Sequence, residues 1–128
     1  MLIPHLYLSD DYGDTWSVEQ PSGAGNKLYT SVSITTVGLK AIVSIDDSFG
    51  GGNLYLKDNI LSGSWYLAPD ITDINLDWRT TAISKDGQII IAGVLGGRLY
   101  LSRNGGASWS EIQPDGDDDK QWLISAIK

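Results

Sequence analysis

One short segment occurs three times along the chain, and this repetition constrains the fold more than any other feature. Its copies share the core Leu-Tyr-Leu, which begins at Leu6, Leu54 and Leu99, and each ends on a tryptophan. The separations are 48 and 45 residues. A near-constant period between about 20 and 50 residues is typical of a repeat architecture. The copies read His5-Leu-Tyr-Leu-Ser-Asp-Asp-Tyr-Gly-Asp-Thr-Trp16, Asn53-Leu-Tyr-Leu-Lys-Asp-Asn-Ile-Leu-Ser-Gly-Ser-Trp65 and Arg98-Leu-Tyr-Leu-Ser-Arg-Asn-Gly-Gly-Ala-Ser-Trp109.

Each full period contains four short apolar runs, because two further runs precede the second and third copies. These are residues 28–38 and 39–47, then 78–87 and 88–97. Runs of this length, rich in Ile, Val, Leu and Tyr and bounded by Gly, Asp, Asn and Pro, indicate strands. No segment has the 3.6-residue apolar period of a helix. Four strands in a period of this size predict an all-β chain of the β-propeller type, built of four-stranded antiparallel blades.

The runs divide a single domain, residues 1–128, into repeated units. Residues 4–20 supply the third and fourth strands of one blade, 27–69 and 78–113 are whole blades, and 120–127 are the first strand of a further blade. A propeller closes with about four to eight blades, so these roughly 2.75 blades cannot close alone. Open strand edges favour association. Three explanations remain: a fragment of a longer propeller, a chain that self-associates (a dimer being preferred), or an open solenoid.

The residues after Leu-Tyr-Leu carry a resemblance to a known family. Ser9-x-Asp11-x-Gly13-x-Thr15-Trp16 resembles the Asp-box, or bacterial neuraminidase repeat, at every defining position. The third copy differs by Asn for Asp and Ser for Thr. The second is worn, with Lys57 in place of the leading Ser, one extra residue and a shifted glycine. The third copy's box residues are Ser102, Asn104, Gly106, Ser108 and Trp109, and the second retains Asn59, Gly63, Ser64 and Trp65.

This resemblance covers essentially the whole chain and implies a sialidase-like Asp-box β-propeller, with each box in the turn between the third and fourth strands of a blade. We name the segments turn 1 (Ser9–Trp16), turn 2 (Lys57–Trp65) and turn 3 (Ser102–Trp109). Independently of the family, Asp and Asn side chains close turns by accepting backbone hydrogen bonds, and glycine accepts positive φ. We therefore expect the box residues to be structural, with their tryptophans packed beneath the turns.

Asp-box proteins include sialidases, so catalysis has to be weighed. The family pattern implies three substrate-binding arginines, an Arg-Ile-Pro motif and a Tyr/Glu pair. The chain has only Arg79, Arg98 and Arg103, and Leu2-Ile3-Pro4 lacks the motif's arginine. We therefore expect a non-catalytic binding or scaffolding module with no cofactor. The alternative is a fragment of a sialidase-like glycoside hydrolase whose catalytic residues lie outside this chain.

Carbohydrate is the ligand that the resemblance suggests. Trp78 and Trp122 begin first strands, where side chains would lie near the mouth of a central channel, and they are the candidate ligand-binding residues. Stacking of an indole on a sugar ring is one interpretation and core packing is the other. Many proteins with this resemblance are extracellular or on cell surfaces, whereas the residues themselves do not fix the compartment.

Composition narrows the possible partners. The chain has no cysteine and one histidine, His5, which argues against a thiolate or zinc site. The acidic loop 115–119 has oxygen ligands at alternating positions, as a calcium site would, but it lacks the rest of a calcium-loop pattern, which favours a solvated loop. A net charge of −7 argues against nucleic acid and anionic membranes as partners. Met1–His5 does not read as a signal peptide, and no apolar run approaches membrane-spanning length.

Loss of a box residue is expected to lower the melting temperature. Asp11→Ala removes a turn-closing acceptor, and Trp109→Ala removes an apolar plate; a core Trp→Ala change costs about 3–5 kcal/mol. Thermal unfolding followed by circular dichroism measures both effects. If both variants melt like the parent, the structural interpretation of the box is wrong.

Overall fold

A computed structural model describes residues 5–23, 27–46, 52–71, 76–123 and 126–128, and over these residues the chain is all-β. No helix occurs in these ranges, and so none that could span a membrane. The strands are β1 (Leu6–Leu8), β2 (Ser17–Glu19), β3 (Leu28–Ile34), β4 (Ala41–Asp46), β5 (Asn53–Lys57), β6 (Tyr66–Leu67), β7 (Trp78–Ile83), β8 (Ile90–Gly97), β9 (Leu99–Ser102), β10 (Ser110–Ile112) and β11 (Lys120–Gln121).

The strands form three antiparallel sheets of two, four and five strands. In the four-stranded sheet the order is β3-β4-β5-β6, and each strand pairs with the next along the chain. The strands β7, β8, β9 and β10 pair in the same way. The first sheet contains only β1 and β2. Each of the three turns joins the last two strands of such a set, which is the position that the repeat predicts.

The end of the chain differs from its sequence-based expectation. A strand is expected over 120–127, but β11 covers Lys120–Gln121 and joins the existing five-stranded sheet. It pairs with Gly97 and Leu95 at the end of β8, while β7 pairs with β8 from Ile90 to Val94. β9 pairs with β8 as well, so three strands pair with β8, and only the residues at the end of β8 pair with β11.

The main core lies between the four-stranded and five-stranded sheets. The central strand β4 is buried at five successive positions, as the apolar run predicts for a strand covered on both faces. In β8 the buried positions are Ile90, Ala92, Gly93 and Val94. Trp78 lies at the centre of this core with no exposed surface, and its ring meets Tyr100 edge-on, 5.3 Å between centroids. The buried members of the core are Ile42, Leu54, Leu56, Ala68, Ile71, Trp78, Ile90, Ala92 and Val94.

Beside the apolar core, β3 and β7 contact each other through hydroxyl groups. The Oγ1 of Thr81 lies 2.9 Å from the Oγ of Ser31 and 3.2 Å from that of Ser33. Ser33 also donates to the carbonyl of Thr81, and Thr30 donates to the carbonyl of Trp78. Since a buried polar group is costly unless it is hydrogen-bonded, this pairing of hydroxyls fixes the relative position of the two strands.

Thr81→Val is expected to lower the free energy of unfolding by about 1–2 kcal/mol, because it keeps the side chain's shape and removes the shared hydroxyl. Thr81 is 5% exposed, so water cannot replace the lost bonds. The matched control is Thr36→Val at an exposed position, which should be nearly neutral. Urea unfolding of both variants measures the difference, and equal midpoints would contradict the role assigned to the hydroxyl pairing.

Candidate assembly interface

Turn 1 is closed by a compact set of side-chain hydrogen bonds. Ser9 Oγ donates to Asp11 Oδ1 over 2.9 Å and accepts from the amide of Gly13 over 2.7 Å. Asp11 Oδ1 accepts from the amide of Thr15 over 2.8 Å, and the Thr15 hydroxyl donates to Asp11 Oδ2. The indole of Trp16 donates to the carbonyl of Gly13. Gly13 has φ +94°, which an L side chain would resist.

Turn 3 has the same network of hydrogen bonds as turn 1, except that one bond is reversed, and turn 3 is more buried. Ser102 Oγ donates to Asn104 Oδ1 over 3.0 Å and accepts from the amide of Gly106 over 2.8 Å. Asn104 Oδ1 accepts from the amide of Ser108 over 2.9 Å, and the Trp109 indole donates to the carbonyl of Gly106. One bond reverses, since Asn104 donates its amide to the Ser108 hydroxyl. Asparagine therefore closes this turn as well as aspartate closes turn 1.

Turn 2 has a different set of hydrogen bonds. Asn59 keeps a local role, since its Oδ1 accepts from the amide of Leu61 over 3.0 Å. Gly63 still has a positive φ of +89°. Trp65, however, donates its indole N–H to the carboxylate of Glu19 on β2, over 2.6 Å, instead of to its own turn. The altered box thus connects the four-stranded sheet to the first hairpin.

Glu19 is the centre of this connection. Lys57, in the position that serine holds in the other two turns, places its ammonium 3.0 Å from the same carboxylate oxygen. The side chains of Lys57 and Glu19 are only 9% and 14% exposed. The ammonium also lies 5.7 Å from the centroid of the Trp65 ring. Because separating the two charges would leave each of them shielded from water without a partner, the ion pair holds the hairpin β1–β2 on the outer part of the second sheet.

The box tryptophans do not all pack beneath their turns. Trp109 is half-buried against the main core, whereas Trp16 is 62% exposed. The expectation of a packed Trp16 is corrected for a simple reason. The sheet above turn 1 has two strands where the other sheets have four or more, so little covers the ring.

The two candidate ligand-binding tryptophans lie in different surroundings. Trp78 has no exposed surface and belongs to the core, so it cannot stack on a ligand in this conformation. Trp122 is half-buried: its indole donates to the carbonyl of Gly97, and its Cβ lies where a side chain on Gly93 would have to go. Of the two, only Trp122 retains ring surface for a partner.

Two of the three arginines are held by carboxylates of the same chain. Arg79 binds Asp46 over 3.1 Å and Asp77 over 2.7 Å. Arg98 reaches Asp117 over 2.6 Å and Asp119 over 2.9 Å. The acidic loop is thus salt-bridged rather than simply solvated. Among the described residues, no cluster of three His, Cys, Asp or Glu side chains is placed to hold a metal ion.

A tyrosine and a carboxylate also meet next to turn 2. The Tyr66 hydroxyl donates to Asp58 over 2.7 Å, and Lys40 binds the same carboxylate oxygen over 3.0 Å. Burial, and then the hydrogen bond to Asp58, raise the pKa of Tyr66 above its ordinary value. The hydrogen bond from Tyr66 and the one from Lys40 lower the pKa of Asp58. The phenol therefore stays protonated, which is opposite to what a tyrosine nucleophile requires.

An open apolar groove lies between the first hairpin and β3. Its volume is about 160 Å³, and its far wall is formed by Val32 and Ile34, which remain 51% and 48% exposed. β1 pairs with β2 along one edge, and no strand of the described residues pairs with its other edge. The corresponding strands β5 and β9 have β4 and β8 there. The groove is lined by Leu6, Tyr7, Leu8, Glu19, Val32, Ile34, Ala41 and Ile60.

Sequence reasoning did not foresee Glu19 as a contact residue. The signal that was available is the replacement of the box serine by Lys57, since a lysine in place of a neutral residue brings a charge that needs a partner. Glu19 lies one repeat earlier, and only the packing of the hairpin on the second sheet brings the two together.

Comparison with known proteins found no matching family profile, no matching curated protein and no matching solved structure. What the chain does is therefore inferred from its own residues.

Glu19→Gln is expected to destabilise the protein by about 3 kcal/mol, because it leaves the Lys57 ammonium buried without a counter-charge. The loss should be local, with faster amide exchange in residues 6–19 than in β7–β9. The double variant Glu19→Gln/Lys57→Met removes both charges and should recover most of the stability. If the double variant is no better than the single one, the ion pair is not what holds the hairpin.

The Asp11 carboxyl that closes turn 1 is expected to titrate at acidic pH, whereas Asn104, which closes turn 3, has no ionisable group. Hydrogen bonds from the Thr15 hydroxyl and amide lower the pKa of Asp11 below its ordinary value of 3.8. A lowered folded-state pKa means that the carboxylate's contribution is complete above pH 3.8 and is lost as the pH falls through the lower value. The amide chemical shift of Thr15 should therefore move below pH 3.8.

The control for this titration is internal. Ser108 donates its amide to the uncharged Asn104, so its chemical shift should stay constant over the same range. Asp11→Asn should abolish the titration at Thr15 and keep the turn closed, as Asn104 does in turn 3. A pH-dependent Ser108 shift of equal size would indicate general acid unfolding instead.

Proposed function

We propose that this chain is a non-catalytic binding or scaffolding module, a propeller-type array of Asp-box blades that is completed by self-association. The observation that carries the proposal is the half-built first sheet. In the part of the chain that the structure describes, two strands stand where the second sheet has four, so no strand pairs with the other edge of β1, and Val32 and Ile34 on β3 stay about half-exposed. Exposed apolar faces beside free strand edges are where chains associate.

The assignment to Asp-box blades is supported by the two repeated hydrogen-bond networks. A Ser, an Asp or Asn, a Gly, a Thr or Ser and a Trp occupy matching places in turns 1 and 3, and they make matching bonds. Both turns connect the last two strands of a set. Sheets of consecutive antiparallel strands, packed face to face at a fixed repeat, are the arrangement expected of successive blades.

The non-catalytic part of the proposal is supported by the state of the charged groups. A sialidase-like site would use arginines to bind a carboxylate of the substrate. Arg79 and Arg98 already bind aspartates of this chain. Tyr66, the tyrosine that donates to a carboxylate, has a raised pKa and is therefore a poor nucleophile. A hydrolase built around this chain would need its reacting groups from elsewhere.

Carbohydrate binding is the second candidate, and the half-buried Trp122 favours it, since an indole with open ring surface can stack on a sugar. A reproducible glycan-array signal that Trp122→Phe keeps and Trp122→Ala loses, with unchanged melting temperature, would support it.

Light scattering coupled to size exclusion, across a dilution series, tests the main proposal. A closed assembly should give an integral multiple of 13.9 kDa that persists on dilution, twice that mass being preferred. The association should depend little on salt, because the exposed faces are apolar. A monodisperse species of 13.9 kDa at every concentration would refute self-association.

A further inference from the structure

Among the described residues two apolar faces are only partly covered, one near the start of the sequence and one near its end. The first is the groove face, formed by Val32 and Ile34 beside the free edge of β1. The second is the tail face, the exposed side of the segment that follows β11, where Leu123 is 57% exposed and Ala126 is exposed as well. Each is a face that a third sheet would cover.

The tail is a copy of a strand whose packing is known. Trp122, Ala126 and Ile127 match Trp78, Ala82 and Ile83 of β7 at a constant offset of 44 residues. The two tryptophans also behave alike. Trp78 is buried against the preceding four-stranded sheet, and Trp122 packs on the preceding five-stranded sheet at Gly93.

The strand β7, which the tail matches in sequence, has neighbours on two sides. It belongs to its own sheet and at the same time contacts β3 of the neighbouring sheet through Thr81. The tail has its own sheet on one side only, through β11 and Trp122. At its end Lys128 lines a cavity with Val37 and Ile89, whereas Leu123 stays 57% exposed. The outer face of β3, where Val32 and Ile34 alternate with the serines that face β7, meets the first hairpin only across the groove.

We propose that the tail of one copy, through Leu123, Ala126 and Ile127, fills the groove of a second copy, with Leu123 against Val32 and Ile34. The contact is head-to-tail, since the face at the end of one chain meets the face at the start of the next. This inference rests on the proposed self-association and names the surfaces that make it. Head-to-tail contacts close into a ring when the rotation between copies matches, and two copies then make two identical contacts.

A second copy fits the groove better than an unrelated partner for two reasons. The tail has the side-chain pattern of the strand that already packs on β3 from the other side. The groove and the tail face are both apolar, and each is left open by the same absence of strands. One chain therefore carries both halves of one contact, at its two ends.

Cysteine cross-linking tests the geometry directly, because the natural chain has no cysteine. The single variants Ile34→Cys and Leu123→Cys are purified separately, mixed and oxidised gently, and then run on a non-reducing gel. A mixture excludes bonds within one chain. We expect a covalent dimer of about twice 13.9 kDa in the mixture and little in either variant alone. The control is Leu61→Cys, 53% exposed in turn 2 and outside the groove, mixed with each partner.

A second measurement does not depend on disulfide formation. Leu123→Glu places a charge in the contact at an exposed position, so the fold should be kept and the dissociation constant should rise at least tenfold. Leu61→Glu should leave the dissociation constant unchanged. Circular dichroism confirms that both variants are folded.

The outcomes separate this inference from the broader proposal. A dimeric parent that Leu123→Glu does not weaken, with no cross-link in the mixture, overturns the tail-in-groove contact and leaves self-association standing. Cross-linking of Ile34→Cys with itself, as strong as in the mixture, shows groove-to-groove contact and also overturns it. A parent that is monomeric throughout refutes the proposed function and this inference together.

Discussion

Packing of the four-stranded sheet against the five-stranded sheet is the contact on which the rest of the structure depends. A strand such as β4, buried at five successive positions, can exist only between two covered faces. The core that covers one of them contains Trp78 and a group of aliphatic side chains, each worth about 1.5–3 kcal/mol when fully buried. Hydroxyl pairs between β3 and β7 then fix how the two sheets are aligned.

The three turns recur at the same place in successive sheets, where each closes a hairpin. In turns 1 and 3 a serine and an Asp or Asn satisfy backbone amides inside the turn, so the hairpin closes without help from its surroundings. Such a turn can remain closed even where the sheet is thin, as in turn 1. Turn 2 lacks part of this local closure. Its Lys57 and Trp65 bind Glu19 instead, so this turn links the four-stranded sheet to the first hairpin.

The same need for covered faces applies to the apolar surfaces that stay exposed. The first hairpin covers the outer face of β3 only across a groove, and Leu123 in the tail stays 57% exposed. The apolar side chains at these places, half-exposed in a single copy, are what a further sheet would cover. Arg79, Arg98 and Tyr66, by contrast, are engaged with carboxylates of the same chain.

Local patterns in the sequence determined the strands, their antiparallel order and the closure of turns 1 and 3, because these depend on residues close together along the chain. Ser9 with Asp11, or Ser102 with Asn104, acts over a few residues, and the alternation of apolar runs with Gly and Asn acts within one hairpin.

Only the tertiary structure decided which side chains are buried and which are paired. Trp16 and Trp109 hold the same place in the repeat, yet one is open and the other half-buried, because different numbers of strands surround them. Trp78 and Trp122 begin matching segments, yet only Trp78 lies between two sheets. The Glu19–Lys57 pair spans 38 residues. Burial and charge pairing are set by what packs on a strand from outside, which the sequence of that strand does not contain.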